Sequence, residues 1–242
     1  MRIDVITIFP EMFAGPFGAS ITKRAVEKGI LDIHLTNFRD FSFDKHHHVD
    51  DSPFGGGAGM VLKPEPMYRA VRDVLANSQA FDGKRRVLIM DPSGATFTQA
   101  KAKELATYEQ LVFICGHYEG FDARIYCLAD EAISIGDFVL TGGELPAMVI
   151  TDAVSRMLPG VLGDEESAPT DSFYDGLLGF PQYTRPREFE GKVVPDVLIS
   201  GDHAKIRAWR RQQALLATKR YRPDLLAKAT LSEKEQAWLN EQ

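Results

Sequence analysis

The 242-residue sequence predicts an α/β fold with a mostly parallel sheet, followed by a small α-helical C-terminal domain. Short apolar runs alternate with helix-like segments through the first 160 residues, which is typical of a parallel sheet covered on both faces. After Pro159 the composition changes, and a helical pattern begins at Asp202. A chain of this length buries a sizeable core, so this fold needs no disulfide or structural metal.

The predicted strands are apolar, rich in β-branched residues and bounded by turn residues. They are Ile3–Phe9, Leu31–Asn37, Val87–Met90, Leu111–Cys115 and Ala132–Ile135. Pro10 ends the first strand, and the run Asp91-Pro92-Ser93-Gly94 ends the third. The predicted helices show helical spacing of apolar residues or end at a glycine or proline. They are Ile21–Lys28, Pro64–Ala76, Thr98–Thr107, Phe121–Leu128 and Glu144–Met157.

Three regions follow from this pattern. Residues 1–160 form the α/β domain. Residues 161–184 are rich in Gly, Pro, Asp and Ser and have little periodicity, which predicts a linker or an active-site loop. Residues 185–242 form the helical domain, with helices from Asp202, over Asp224–Ala229 and over Ser232–Asn240. In the first of these helices, Ile206, Trp209 and Leu216 are predicted to share one face.

The charge is unevenly distributed. The formal net charge is −6, but residues 201–223 contain seven Lys and Arg residues and a single Asp. A basic block of this kind indicates a local contact with a polyanion, or else a solvated helix face.

From the sequence we expect neither a membrane span nor secretion. No apolar run reaches the length of a membrane span, and Asp4 and Glu11 interrupt what would be the apolar region of a signal peptide. The spacing of Cys115 and Cys127 fits no zinc or redox motif, so we expect reduced thiols and a cytoplasmic protein.

A glycine-rich segment, SPFGGGAGM, spans Ser52–Met60 and matches neither a P-loop nor a dinucleotide fingerprint. Its glycines allow backbone amides to approach a ligand or the chain to pass through a tight space, or they form a mobile surface loop. The preceding His46–His48 and Asp50 do not have the convergent spacing of a zinc site, so no metal is predicted. Phosphate or substrate contacts, or plain solvation, fit these residues better.

Two further motifs follow predicted strands, at the sheet edge where α/β proteins bind ligands. CGHYEG (Cys115–Gly120) offers a stacking face at Tyr118 and a carboxylate at Glu119. SIGDFVLTGGELPAM (Ser134–Met148) offers backbone groups that can read the edge of an adenine, and Gly142-Gly143 opens a helix. Taken alone, each motif is also typical of an ordinary turn between a strand and a helix that binds no ligand.

Taken together, six segments occur in the order seen in bacterial tRNA (guanine-N1)-methyltransferases of the knotted SPOUT class. They are GGGAGM, CGHYEG, SIGDFVLTGGELPAM, PGVLG (Pro159–Gly163), DSF (Asp171–Phe173) and YTRP (Tyr183–Pro186). The sequence resembles this family from Asp4 into the basic helix at Trp209.

The resemblance implies an S-adenosylmethionine-dependent homodimer with a deep trefoil knot in the α/β domain and its active site at the subunit interface. Resemblance places the cofactor pocket on Pro92, Gly116, Tyr118, Glu119, Gly120, Ile135, Gly136, Asp137, Phe138, Val139, Leu140, Gly142 and Gly143. Phe138 stands where some relatives have tyrosine, so a hydroxyl contact is missing there.

The resemblance also implies the catalytic and RNA-binding residues. Asp171 is the expected base for guanine N1, and Arg156 is expected to stabilise charge on guanine O6. The expected tRNA contacts are Arg207, Arg210, Arg211, His46 and Asp50. The expected target is the guanine directly 3′ of the anticodon.

Two other functions remain open from the residues. Another knotted RNA methyltransferase, acting on a ribose 2′-hydroxyl or a different base, would keep the cofactor loops without needing Asp171 and Arg156 as a pair. A non-catalytic RNA-binding protein would keep the basic helix.

Overall fold

The computed structural model describes residues 1–164 and 167–242. The chain divides into two compact units, the first being Met1–Asp164 and the second the described residues of Glu165–Gln242. The predicted linker, 161–184, lies partly outside the described residues, and the roles predicted for the three regions stay predictions.

The first unit contains the sheet. Its strands are β1 (Arg2–Thr7), β2 (Asp32–Asn37), β3 (Asp50–Asp51), β4 (Val61–Leu62), β5 (Arg85–Thr96), β6 (Gln110–Cys115) and β7 (Glu131–Ser134). Its helices are α1 (Ala14–Phe17), α2 (Ser20–Glu27), α3 (Pro64–Ala76), α4 (Gln99–Leu105) and α5 (Glu144–Ser155). Turns of 3₁₀-helix cover Pro10–Phe13, Phe38–Phe41, Gln79–Phe81 and Ala123–Leu128.

Five strands form one parallel sheet in the order β2-β1-β6-β5-β7. The α/β fold with a mostly parallel sheet is therefore confirmed. The central strand β6 is buried along its whole length, as expected for a strand covered on both faces.

Successive side chains of β6 point to opposite faces of the sheet and belong to two separate hydrophobic cores. Leu111 and Phe113 pack on one face in a cluster that includes buried residues of α4 and α5, and Val112 and Ile114 pack on the other with buried residues of α3. Helix α3 begins at Pro64, whose missing N–H costs nothing in the first turn, and its bounds match the sequence prediction.

The prediction that β5 ends before Asp91 is wrong. The strand continues to Thr96, and its pairing with β7 shifts register between Met90 and Ala95. Gly94 allows this continuation, because a Cβ there would lie 2.4 Å from the backbone carbonyl carbon of Ala132. The irregularity also accommodates Pro92, which has no N–H for a regular ladder. Residues 40–62, which include the glycine-rich segment Ser52–Met60, contain the antiparallel β3–β4 pair, whose two-residue strands are too short for a periodic signal.

The second unit combines helices with a small hairpin. Its elements are α6 (Ser167–Thr170), β8 (Glu188–Phe189), β9 (Lys192–Val193), a 3₁₀ turn at Asp196–Ile199, α7 (His203–Tyr221), α8 (Pro223–Leu226) and α9 (Glu233–Asn240). Asp202 caps α7 by accepting hydrogen bonds from the amides of Ala204 and Lys205, both at 3.1 Å. Ser232 and Glu235 form a capping box at the start of α9.

The buried face of α7 differs from the prediction. Ala214, Leu215 and Thr218 are its buried residues, whereas Leu216 is only half-buried. Leu215 forms a core with Leu177 and Leu239, both distant in sequence, so the helix alone gives no signal for this face.

Candidate functional site

A cavity of about 250 Å³ lies in the first unit, beside the carboxyl ends of β6 and β7 and the register shift of β5, which lies between these two strands. Its wall comes from three stretches of chain, residues 90–92, residues 116–121 and residues 133–143 except Asp137, together with Pro146 of α5. Ligands of open α/β sheets bind at this edge, so the cavity is the natural candidate for a cofactor site.

Twelve of the thirteen predicted cofactor residues line this cavity. They are Pro92, Gly116, Tyr118, Glu119, Gly120, Ile135, Gly136, Phe138, Val139, Leu140, Gly142 and Gly143. Asp137 is exposed and is not among the lining residues. The fold thus brings together two motifs that lie about twenty residues apart in the sequence.

A close backbone crossing forms one side of the cavity. The amide of Gly143 donates a 2.9 Å hydrogen bond to the carbonyl of Gly116, and His117 pairs with Gly142 as an isolated bridge. A Cβ on Gly143 would lie 2.8 Å from Cα of Cys115 and 2.9 Å from the amide nitrogen of Gly116. Only glycine permits this approach, which explains the Gly142-Gly143 pair physically.

Asp91 places a negative charge in the cavity wall. Its Oδ1 accepts hydrogen bonds from the amide and hydroxyl of Ser93, at 2.8 and 2.5 Å, and its Oδ2 accepts one from the hydroxyl of Tyr126. Burial alone would raise the pKa of Asp91, but these hydrogen bonds outweigh it and the pKa lies below its usual value. Burial, and then the bond to Asp91, raises the pKa of Tyr126, so its proton stays on the phenol at neutral pH.

His117 is a second polar residue of the wall. Its ring packs edge-on against Phe9 and Tyr118, with centroids 4.9 and 5.1 Å apart. Its Nδ1 is buried and has no hydrogen-bond partner among the described residues. Asp91 and His117 are lining residues that were not predicted from the sequence. Asp91 directly follows the predicted strand Val87–Met90, and this position was the available signal.

The predicted catalytic residues lie in different units. Arg156 follows the last residue of α5 in the first unit and is half-buried. Asp171 follows α6 in the second unit, is exposed, and its amide donates a 3.2 Å hydrogen bond to the carbonyl of Ala168.

The predicted RNA contacts of the first unit lie on and beside the β3–β4 hairpin. Asp50 belongs to β3, where it is paired with Leu62 of β4. His46 is exposed on the preceding loop, where its amide donates a 3.3 Å hydrogen bond to Oδ1 of Asp44.

The three predicted arginines of α7 differ in their surroundings. Arg207 is exposed, and the guanidinium of Arg210 lies 5.0 Å from the ring centroid of Phe180. Arg211 donates to Glu235 at 2.6 Å and to Asp175 at 2.7 Å. The Arg211 hydrogen bond, followed by that from the amide of Ser232, holds the pKa of Glu235 at about 2. Two carboxylates therefore already compensate the charge of Arg211, and its main contacts are within the second unit.

Comparison with known proteins identifies the family. The family model described as tRNA (Guanine-1)-methyltransferase TrmD matches residues 1–228. The chain belongs to this family. It is 58% identical over 238 residues to the tRNA (guanine-N(1)-)-methyltransferase of Staphylococcus carnosus, covering 98% of this chain and 95% of that protein. It is 57% identical over 242 residues to the protein of the same name from Moorella thermoacetica, covering 100% of this chain and 96% of that protein.

Membership of the TrmD family confirms the resemblance inferred from the six motifs, and with it the prediction that the chain is an enzyme of the methyltransferase class. In the parts of the chain that the structure describes, no helix is both long and apolar enough to cross a membrane. Within residues 1–164 and 167–242, no three His, Cys, Asp or Glu side chains form a group that could hold a metal ion.

Proposed function

We propose that this chain transfers a methyl group from S-adenosylmethionine to N1 of the guanine immediately 3′ of a tRNA anticodon. The observation that carries the proposal is the cavity beside the carboxyl ends of β6 and β7 and the register shift of β5, which gathers the cofactor motifs in a member of the TrmD family. The names of its relatives favour guanine N1 over a ribose 2′-hydroxyl and over RNA binding without catalysis.

The cavity residues fit S-adenosylmethionine. Ile133, Ile135 and Leu140 provide apolar surface for an adenine, and the backbone of the 134–143 segment offers donors and acceptors for its edge. The ionised Asp91 matches a ligand that carries positive charge. When bound, this donor supplies an electrophilic methyl group on a positively charged sulfur.

Asp171 and Arg156 carry the chemistry in this proposal. Guanine N1 holds a proton at neutral pH and is a poor nucleophile until that proton leaves. The Asp171 carboxylate accepts the proton, and the Arg156 guanidinium stabilises the negative charge that develops on O6. Alignment of the nitrogen with the methyl group by a closed pocket contributes further to the rate.

A deep trefoil knot in the first unit is the finer part of the fold that we propose. The crossing at Gly143 supports it, because the chain between β7 and α5 passes within hydrogen-bond distance of the chain that leaves β6. Such a crossing needs residues without side chains where one backbone passes another.

We also infer a homodimer, with the active site at the subunit interface. Leu145 and Val149 lie one turn apart on α5 and are about half exposed, and Phe138 and Val139 are exposed in the cavity wall. Leu145 directly precedes Pro146, which also lines the cavity, so exposed apolar side chains stand in the wall and on the helix that contributes to it, which favours a protein partner.

The basic α7 supports a contact with the tRNA backbone. Arg207 and Arg210 are exposed, and phosphates are attracted by local positive potential even when the whole chain is acidic. A tRNA substrate also favours a cytoplasmic location.

The test is methyl incorporation from labelled S-adenosylmethionine into tRNA transcripts that carry or lack guanine after the anticodon. The proposal expects incorporation only into the first. Incorporation into both would favour another RNA methyltransferase, and incorporation into neither would favour an RNA-binding protein.

A further inference from the structure

The loop between β3 and β4 carries a fully exposed aromatic side chain. Phe54 stands in the segment Ser52–Met60, and its side chain is as accessible as in an extended peptide. Exposing a phenyl ring to water is unfavourable, so a partner that covers it gains free energy.

The C-terminal end of this loop is hydrogen-bonded to residues that line the cavity. The amide of Glu119 donates a 3.0 Å hydrogen bond to the carbonyl of Met60, and the amide of Leu62 donates a 2.9 Å bond to the carbonyl of Gly120. Leu62 also bridges to Phe121. Because Glu119, Gly120 and Phe121 line the cavity, the loop projects from the cavity rim rather than from a remote surface.

The glycines permit the shape of the loop. Gly55, Gly56, Gly57 and Gly59 all have positive φ, and other residues rarely adopt that conformation. A Cβ on Gly59 would lie 2.4 Å from Cγ of Glu119, so the loop packs closely on the rim here. The aromatic ring is thus presented by a backbone path that glycine permits, next to the site of methyl transfer proposed above.

Charge indicates which part of an RNA meets this loop. Between Asp50 and Val61 the sequence has no Lys, Arg or His, and it begins with two aspartates. The two aspartates repel phosphate, but their carboxylates can accept hydrogen bonds from base amino groups. The aromatic face of Phe54 can stack on any base. The loop therefore suits an unpaired nucleobase and not the phosphate backbone.

We propose that Phe54 stacks on an unpaired nucleobase that neighbours the target guanine, and so positions the RNA at the cavity. This inference rests on the proposed function, because it takes the substrate to be RNA methylated at the cavity. Sequence-specific proteins that read single-stranded RNA commonly use aromatic stacking of this kind.

The experiment measures the Kd of a tRNA transcript and its steady-state methylation for Phe54→Ala, Phe54→Trp and the unsubstituted chain. We expect Phe54→Ala to weaken tRNA binding by about 5- to 150-fold and to raise KM correspondingly, and we expect Phe54→Trp to retain binding. The affinity for S-adenosylmethionine should not change. The slope of log Kd against log salt should also stay the same, because no ion pair with phosphate is lost.

Phe43→Ala is the matched control. Phe43 is also strongly exposed, but the Arg69 guanidinium covers its ring at 3.9 Å from the centroid. Equal losses in Phe54→Ala and Phe43→Ala would overturn the proposal, as would unchanged tRNA binding in Phe54→Ala.

Transcripts with an abasic nucleotide on either side of the target guanine identify the stacked base. Phe54→Ala should have no further effect on the transcript that lacks this base, because the interaction is already absent. The same loss on every transcript would refute stacking. Failure of the proposed function is distinguished by the unsubstituted chain, which would then bind tRNA without methylating it.

Discussion

Replacing Gly143 by alanine tests whether the backbone crossing beside the cavity determines both stability and cofactor binding. Gly143 has φ −83° and ψ −4°, which alanine adopts without strain, so the substitution changes contacts only. The added methyl group would lie 2.8 Å from Cα of Cys115, 2.9 Å from the amide nitrogen of Gly116 and 3.0 Å from Cβ of Met90. Two of these atoms are backbone on β6 and its exit, and cannot rotate away.

The expected cost follows from these contacts. Overpacking costs roughly 1–3 kcal/mol in a well-packed site. Moving the two backbone segments apart also weakens the hydrogen bond from Gly143 to Gly116, worth ~0.5–1.5 kcal/mol. We expect a loss of about 2–4 kcal/mol in the free energy of unfolding, or a fall in Tm of about 4–16 °C for a domain of this size. The affinity for S-adenosylmethionine should fall as well, since Gly143 lines the cavity.

Thermal and urea unfolding measure the stability, and titration calorimetry measures the donor affinity. Gly15→Ala is the control, because a Cβ on Gly15 in α1 meets nothing within 4 Å. Alanine at position 15 should leave the free energy of unfolding unchanged or raise it by up to ~1 kcal/mol, because alanine has a higher helix propensity than glycine. If Gly143→Ala were as stable as Gly15→Ala and bound the donor normally, the crossing would have no such role.

Three further predictions concern the chemistry, the RNA contact and pH. Asp171→Ala should lower turnover at least ~100-fold while calorimetry shows unchanged donor affinity; near-normal turnover would remove Asp171 as the base. Arg207→Ala should weaken tRNA binding and reduce the salt slope by about one, and an unchanged slope would exclude α7 from the footprint. The pKa of Glu235, about 2 in the fold against a usual 4.5, lies below its unfolded value, so its bond with Arg211 stabilises the second unit above pH 4.5. That stability should decline as pH falls from 4.5 toward 2 in urea titrations; Glu235→Gln should flatten the decline, and an unaltered profile would contradict the pairing.

Local sequence signals predicted most of the first unit. The bounds of α3 match because Pro64 fixes its start and Met67, Ala70, Val71 and Val74 form a clear apolar stripe. The end of β5 was wrong because Asp-Pro-Ser-Gly normally forms a turn, whereas here the neighbouring β7 holds it in the sheet. Tertiary pairing of this kind has no local signal.

The candidate site was predictable to a similar extent. Glycine-rich motifs after strands predicted the cavity edge, and the family resemblance supplied the residue assignments. The hydrogen bond between Asp91 and Tyr126 joins residues 35 positions apart, and the buried Nδ1 of His117 depends on its neighbours in space. Similarly, the ion pairs of Arg211 with Asp175 and Glu235 link distant segments, so a basic run alone did not separate structural arginines from exposed ones.

The most direct test of the central claim is the identity of the methylated nucleoside. After incubation with S-adenosylmethionine and a tRNA transcript that has guanine 3′ of its anticodon, the RNA is digested to nucleosides and analysed by mass spectrometry against standards. We predict 1-methylguanosine, at that position alone. A methyl group on a ribose oxygen, on another base or on another ring atom would contradict the account.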